Sequence, residues 1–227
     1  MVQLIHYSLC PLSRTARLLL NEYGIETALA EEKPWEWRPP FLAVNPGGNL
    51  PVLLLDNAAI SGIYPITEYL METNIYTPEA TIPELLPEDP VSRAETRRMV
   101  DWFHTKFYHE VWSYLSYERI ENPFVHRKAP NPEAIRAAMA NLHNHMAYLS
   151  RLLEERYWIG GDYISIADIA AAAHFSCLDF IGDVTWERAP IVKNWYARVK
   201  SRPSFRPLLQ DTVPGIVPPP FYTNLDF

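Results

Sequence analysis

Cysteine is scarce in this chain of 227 residues, and neither a cluster of basic residues nor a long uninterrupted apolar run occurs. Two cysteines, Cys10 and Cys177, are too few for a disulfide framework and are typical of a reducing compartment. The net charge of −7 disfavours a general role in binding nucleic acid or an anionic membrane. Polar residues interrupt the longest apolar stretch, residues 164–182, which predicts a buried helix rather than a membrane span. Because the N-terminal sequence lacks the features of a secretory signal, we expect a cytoplasmic protein without nucleic-acid or membrane partners.

The first third of the chain has the pattern of a small α/β domain. Strand-forming residues occupy positions 2–7, and apolar residues at helical spacing then run from Ser13, the predicted N-cap, to Gly24, the predicted end. A further strand, a hairpin and a helix are predicted at residues 25–30, 52–60 and 65–72. The order β-α-β followed by β-β-α predicts one α/β domain over residues 1–76.

The rest of the chain has the pattern of long helices. Apolar residues recur three and four apart, which predicts helices at residues 92–121, 132–156, 164–181 and 191–202. These helices form an all-α domain over residues 90–205, which an acidic, proline-containing linker at residues 77–89 precedes. A proline-rich tail, residues 206–227, ends the chain. We expect its proline-rich part to pack back on the protein and its last few residues to be available to a partner.

Local motifs in both domains carry the chemical information. Residues 7–14, Tyr-Ser-Leu-Cys-Pro-Leu-Ser-Arg, place a hydroxyl and a thiol at the start of a helix, where the backbone amides favour an anion such as a thiolate. In residues 45–52, Pro51 directly precedes a buried strand, a position that suits a cis peptide bond. Ser165 and Asp168 have the spacing of a capping box at the start of the buried helix.

Taken together and in this order, these motifs resemble those of the cytosolic glutathione transferase superfamily, over residues 2–205. The resemblance implies a thioredoxin-like N-terminal domain followed by a helical bundle of the transferase C-terminal type. It also implies a glutathione pocket in which a hydroxyl or thiol stabilises the glutathione thiolate, and the candidates by position are Ser8, Cys10 and Ser13. The backbone of Leu50, next to Pro51, would pair with the cysteine unit of glutathione.

The chain departs from the family pattern at the start of its third predicted helix. There the family has an acidic residue and a hydroxyl residue that hold the γ-glutamyl carboxylate, and this chain has Gly62 and Ile63. Neither side chain forms a hydrogen bond, and an unmatched buried group costs about 1–3 kcal/mol. We therefore expect a degenerate site that binds glutathione at most weakly and requires no cofactor.

This departure, together with other local sequence, resembles one alphaproteobacterial branch of the family. The further likenesses are the loop Lys-Pro-Trp-Glu-Trp-Arg-Pro at residues 33–39 and the closing Leu-Asp-Phe at residues 225–227. Members of this branch bind the division GTPase FtsZ and curve its filaments. The resemblance implies a homodimer that does not rely on glutathione and that binds FtsZ through its surface and extreme C-terminus. We expect a non-catalytic or weakly catalytic protein that is recruited to the division site and regulates constriction. The alternative is a glutathione-dependent transferase or thiol transferase that acts through Cys10, Ser8 or Ser13.

Candidate contacts for a partner lie outside the pocket. Trp35 and Trp37 either pack under their loop or form a half-exposed patch, and we take Trp37 as the contact because tryptophan is favoured at interfaces. The polar run at residues 114–121 faces Arg136 and forms either an ordinary solvated salt bridge or a contact surface. The predicted partner-binding residues are Trp37, Glu118, Arg136, Asp226 and Phe227. No histidine pair has the spacing of a metal site, so we expect no metal.

Overall fold

The computed structural model describes residues 2–73 and 84–225, which form two compact units. Residues up to Thr73 and Pro203–Asp211 belong to the first unit, and Glu84–Arg202 and the residues from Thr212 onward belong to the second. The predicted fold class, an α/β domain and a helical domain, is confirmed. The boundary predicted at residue 205 differs from the structure, because Pro203–Asp211 packs with the first unit. Residues 77–83 of the predicted linker, residues 77–89, lie outside the described residues.

A four-stranded mixed sheet forms the first unit. Its strands are β1 (Gln3–His6), β2 (Ala28–Glu31), β3 (Val52–Leu55) and β4 (Ala58–Ser61), in the order β2-β1-β3-β4. Strand β1 is parallel to β2 and antiparallel to β3, and β3 is antiparallel to β4. Strand β2 begins later than predicted, because the amide of Ile25 bonds to the carbonyl of Leu20 (2.9 Å) and so closes the preceding helix.

Three helices of the first unit come from the same stretch of the chain as this sheet. They are α1 (Pro11–Glu22), α2 (Pro39–Val44) and α3 (Ile63–Glu72). The predicted N-cap of α1 is wrong: Cys10 caps the helix, and its sulfur accepts a hydrogen bond from the amide of Ser13 at 3.5 Å. Gly24, at a φ of +65°, ends α1 as predicted. Helix α3 begins before Pro65 rather than at it, since proline is tolerated in a first helical turn.

Long helices build the second unit. The first of them consists of α4 (Pro90–Asp101), π-helical turns (Trp102–Trp112), α5 (Ser113–Ser116) and further π-helical turns (Tyr117–Val125). The later helices are α6 (Pro132–Glu155), α7 (Ile166–Ile181) and α8 (Pro190–Lys200), whereas the short α9 (Arg206–Leu209) belongs to the first unit. The predicted long helices are confirmed. Within residues 2–73 and 84–225, no helix has the length and apolarity needed to cross a membrane.

Helix α7 lies at the centre of the helical unit. Its residues from Ile166 to Phe180 are all buried, as the apolar sequence predicted. Phe103 and Phe107 pack against Phe175 of α7, with ring centroids 6.4 and 5.5 Å away. The predicted capping box at Ser165 and Asp168 is confirmed, so the sequence motif marks the start of this central helix.

The proline-rich tail packs back onto the helical unit, as predicted. A Cβ atom on Gly215 would lie 2.7 Å from the ring of Phe124, so the tail backbone lies directly against that ring. Tyr222 is completely buried. The predicted contact residues Asp226 and Phe227 lie outside the described residues.

Candidate functional site

The segments that the resemblance assigns to a glutathione site meet at one end of the sheet. Ile5 pairs with Val52, and Val52 pairs with Ser61. These three paired residues lie near the end of β1, at the start of β3 and at the end of β4. The turn after β1 therefore lies beside Pro51 and the start of α3. The amide of Gly62 donates to the carbonyl of Pro51 at 2.9 Å, which joins the last two segments directly.

The loop before β3 has a defined backbone conformation. The peptide bond between Leu50 and Pro51 is cis, as the position of the proline indicated. The side-chain amide of Asn45 donates to the carbonyl of Asn49 at 2.7 Å, and its oxygen accepts from the amide of Gly47 at 3.2 Å. Asn45 therefore stabilises the loop that presents the Leu50 backbone.

Internal hydrogen bonds hold the turn after β1. The hydroxyl of Ser13 accepts from the amide of Tyr7 at 3.4 Å, and Nε of Arg14 donates to the carbonyl of Ser8 at 2.6 Å. Ser13 is completely buried and Ser8 is nearly so, whereas Cys10 is only half-buried. As a whole residue, Cys10 therefore keeps more exposed surface than Ser8 or Ser13, although its sulfur lies in buried surroundings.

The expectation that the helix start favours a Cys10 thiolate is not met. Burial raises the pKa of the Cys10 thiol above its ordinary value, and hydrogen bonds from Ser13 and from the amide of Leu12 oppose this only in part. The sequence argument counted the helix amides but had no access to the loss of solvent around the sulfur, which disfavours the charged form. Cys10 is therefore protonated near neutral pH.

We expect the alkylation rate of Cys10 to keep rising above roughly pH 9, because only the thiolate reacts and the pKa of this thiol is raised. The measurement is the rate of iodoacetamide labelling against pH in a Cys177→Ala variant, with the additional Cys10→Ser change as the blank. A rate that levels off below neutral pH would show an activated thiolate instead.

The start of α3 has few groups that could donate a hydrogen bond to a carboxylate. Gly62 is the N-cap at a φ of +92°, and no side chain caps the helix. Ile63 is buried, and neither residue carries a polar side chain. Pro65 has no amide hydrogen, so one donor of the first helical turn is missing as well. These positions therefore offer a carboxylate no polar side chain.

An ion-pair network outside the motifs supports the turn after β1. Asp211 accepts from Arg17 through both carboxylate oxygens, each at 2.8 Å, and from Arg14 at 3.2 Å. Both arginines are buried, and Arg14 also bonds to the carbonyl of Ser8. Sequence reasoning missed this network because 197 positions separate Asp211 from Arg14, and no local pattern connects them.

The two tryptophans of the loop at residues 33–39 differ in exposure. The ring of Trp35 packs edge-on against Tyr7, with centroids 5.0 Å apart. Trp37 is 62% exposed, at a left-handed φ of +48°. A Cβ atom on Gly48 would lie 2.9 Å from Cζ3 of Trp37, so glycine there lets the indole lie against the backbone. Trp37 thus presents a supported aromatic surface.

The predicted pairing of Glu118 with Arg136 does not occur. Glu118 is buried and accepts from the side chain of Asn122 at 2.8 Å and from the amide of Asn131, the N-cap of α6, at 2.7 Å. Arg136 is exposed and lies 3.9 Å from Glu133 of its own helix. Glu118 therefore stabilises the segment before α6. Of these two residues, Arg136 is the one whose side chain is accessible to a partner.

The structure also shows the environment of a buried histidine pair. Nδ1 of His104 and Nε2 of His174 are 3.2 Å apart in the core of the helical unit. Burial lowers the pKa of His104 to about 3, so the ring is neutral and serves packing. Across the part of the chain that the structure describes, no group of three or more His, Cys, Asp or Glu residues could hold a metal ion.

Two family models match the chain: "Glutathione S-transferase, N-terminal domain" at residues 9–73 and "Glutathione S-transferase, C-terminal domain" at residues 132–198. FtsZ-localized protein A of Caulobacter vibrioides is 40% identical over 226 residues, which is 98% of this chain and 96% of that protein. The solved structure of FzlA from C. crescentus matches at 39% identity and a TM-score of 0.94, covering 100% of this chain and 99% of that one. A glutathione S-transferase structure from Rhodospirillum rubrum matches at 43% identity and a TM-score of 0.92, covering both chains fully. This chain therefore belongs to the glutathione S-transferase family.

Proposed function

We propose that this chain is a division protein with a transferase fold, which binds FtsZ at the division site and regulates filament curvature and constriction. The observation that carries the proposal is the 40% identity to FtsZ-localized protein A along 98% of the chain. The match to the FzlA structure at a TM-score of 0.94 supports the same relation.

The candidate glutathione site supports a role without turnover. Gly62 and Ile63 give the γ-glutamyl carboxylate no side-chain partner, and the Cys10 thiol has a raised pKa. A transferase needs bound glutathione, and a thiol transferase that acts through Cys10 also needs an activated thiolate there. We therefore propose that the fold is used for protein binding and that glutathione is not required.

The exposed surface offers anchors for such binding. Trp37 is an exposed indole that rests on the backbone at Gly48, so little of its freedom is lost on binding. Arg136 is an exposed cation on α6, with its side chain 70% accessible. Tryptophan and arginine are enriched among interface residues that carry most of the binding energy. We propose that both contact FtsZ, and that Asp226 and Phe227 do so as well.

Co-sedimentation with GTP-polymerised FtsZ tests the proposal. We expect the wild-type chain to pellet with the filaments and to curve them in electron micrographs. Trp37→Ala should weaken binding roughly tenfold or more, as expected when an interface anchor is lost. Tyr163→Ala is the matched control, because Tyr163 is an 83% exposed aromatic side chain of the helical unit. Absence of wild-type binding would refute the proposed function, and equal loss in both variants would refute the assignment of Trp37.

We also propose that the chain acts as a homodimer, as the resemblance implies. Sedimentation equilibrium measures this directly. A monomer at concentrations where FtsZ binding is saturated would exclude the dimer as the active form.

A second candidate function is a glutathione-dependent transferase or thiol transferase that uses Cys10, Ser8 or Ser13. The observation in its favour is that the turn after β1, the cis Leu50–Pro51 bond and the start of α3 are still assembled at one end of the sheet. Calorimetric titration with glutathione separates the two functions. Micromolar binding would favour the enzyme, whereas no binding at millimolar glutathione would exclude it.

A further inference from the structure

A groove on the helical unit shares no residue with the candidate glutathione site. It has a volume of about 380 Å³ and lies between the π-helical turns at Trp102–Trp112 and helix α6. One wall carries Trp102, Lys106 and Glu110, which are four residues apart and so share one helix face. The facing wall carries Asn141, His145 and Tyr148 of α6. A groove of this volume suits a small ligand.

One end of the groove is aromatic. The ring of Trp102 stacks on that of Tyr148, with centroids 4.8 Å apart and planes at 30°. The hydroxyl of Tyr148 accepts a hydrogen bond from Arg98 at 3.0 Å, which fixes this ring in turn. Nζ of Lys106 lies 5.6 Å from the centroid of the Trp102 ring, within the range of a cation–π interaction. The two rings therefore form a fixed apolar surface with a cation beside it.

The buried His145 joins the aromatic end to a carboxylate. Nε1 of Trp102 can only donate, so Nδ1 of His145, 3.1 Å away, accepts and the ring proton lies on Nε2. Nε2 of His145 then donates to Oε2 of Glu110 at 3.0 Å. Burial lowers the pKa of His145, which keeps the ring neutral near neutral pH. Because both nitrogens of this 3% exposed histidine are engaged, its role is to hold the Glu110 carboxylate in place.

The groove presents one cation and one anion side by side. Lys106 and Glu110 form an ion pair, and their side chains are 47% and 37% exposed. The hydrogen bond from Lys106 lowers the pKa of Glu110, so the carboxylate is ionised near neutral pH. An exposed ion pair between residues four apart on a helix contributes little to stability. A ligand can therefore share both groups at small cost.

We propose that this groove binds a free α-amino acid with an aromatic side chain. The ammonium and carboxylate of such a ligand are bonded to the same carbon, so the protein groups that bind them must lie close together, as Glu110 and Lys106 do. The ligand ammonium donates to Glu110, its carboxylate accepts from Lys106, and its ring contacts the Trp102–Tyr148 pair. A zwitterion also leaves the charge of the groove balanced, whereas an ammonium or a carboxylate alone leaves it unbalanced. This inference goes beyond the proposed function and does not rest on FtsZ binding.

Titration of the full chain with L-phenylalanine tests the proposal. The indole N–H of Trp102 lies in the groove, and its signal in ¹H–¹⁵N spectra is identified by its loss in Trp102→Phe. We expect this signal to shift saturably, with a dissociation constant of roughly 1 mM or lower for so small a ligand. The analogues 3-phenylpropionate and 2-phenylethylamine each lack one charged group, so each should bind roughly tenfold more weakly.

Variants assign the two charges. Glu110→Gln keeps an acceptor for His145 but not the charge, and it should weaken phenylalanine binding roughly tenfold while leaving 3-phenylpropionate binding unchanged. Lys106→Met should weaken phenylalanine binding to a similar extent and leave 2-phenylethylamine binding unchanged. Glu133→Gln is the matched control, because Glu133 is an 84% exposed carboxylate of α6 outside the groove, and it should bind phenylalanine as wild type does.

Each outcome decides for or against the groove. No shift of the Trp102 signal at phenylalanine concentrations well above the expected dissociation constant would overturn the proposal. Equal affinity for phenylalanine and its two analogues would overturn it as well, since binding would then be through the ring alone. The same affinity in Glu110→Gln and Glu133→Gln would exclude Glu110 as the ammonium ligand. The remaining tryptophan signals show whether each variant is folded.

Discussion

Replacing Asp168 with alanine is expected to lower the free energy of unfolding of the helical unit by about 4 kcal/mol or more, because several buried donors would lose their acceptor at about 1–3 kcal/mol each. Asp168 is completely buried and accepts from the amides of Ile159 (2.8 Å) and Ser165 (3.0 Å) and from Nε1 of Trp195 (2.8 Å). One carboxylate thus joins the loop before α7, the start of α7 and helix α8. Its loss should loosen all three together.

Asp89→Ala is the matched control for this change. Asp89 is the N-cap of α4 and its carboxylate accepts from the amide of Ser92 at 2.8 Å, but it is exposed to solvent. Water replaces the lost bond there, so we expect a cost of about 1 kcal/mol. Chemical denaturation followed by far-ultraviolet circular dichroism measures both variants. Equal losses of unfolding free energy in Asp89→Ala and Asp168→Ala would contradict the role of Asp168 as the shared acceptor of several buried donors.

Replacing Asp211 with alanine should destabilise the first unit by about 3–5 kcal/mol, the usual cost of removing one partner from a buried ion pair. The guanidinium of Arg17, only 5% exposed, would lose the carboxylate that binds both of its terminal nitrogens. Arg14, which is completely buried, would lose its bond to the same carboxylate. The desolvation of both cations would then be poorly compensated.

Glu36→Ala serves as the control for Asp211→Ala. Glu36 lies 3.7 Å from Lys33 in the same unit, and both side chains are nearly half exposed, so we expect a change of about 0–1 kcal/mol. The Asp211 variant should also label faster at Cys10, since Arg14 holds the carbonyl of Ser8 in the turn that contains the thiol. Unfolding by denaturant and iodoacetamide labelling measure the two effects. A stability change no larger than that of Glu36→Ala would show that the network does not support the unit.

Local patterns predicted the elements whose determinants are close in sequence. The hairpin predicted at residues 52–60 corresponds to β3 and β4, and the spacing of Ser165 and Asp168 predicted the capping box. Pro51 before a buried strand predicted the cis bond. In each case the interacting groups lie within a few residues of one another, so the sequence shows the whole interaction.

Helix ends, pKa values and side-chain pairings that depend on solvent exposure or on residues distant in sequence could not be predicted from local patterns. Cys10 rather than Ser13 caps α1, and burial shifts its thiol pKa upward, because the environment of the sulfur comes from the folded turn. Glu118 lies buried against Asn131 instead of facing Arg136, since the segment between the two long helices folds over it. The local sequence around Glu118 does not show whether its side chain is exposed or buried.

The sequence by itself determined the two-part architecture, the family resemblance and the missing side-chain partner at Gly62 and Ile63. The architecture follows from periodicity, and the missing partner follows from comparing local motifs with the family pattern; neither needs knowledge of distant contacts. Tertiary structure alone decided that Asp211 pairs with Arg14 and Arg17 and that the buried Lys200 of α8 pairs with Asp179 of α7. Such pairs are selected by burial, because a charge removed from water must find a partner wherever the fold places one.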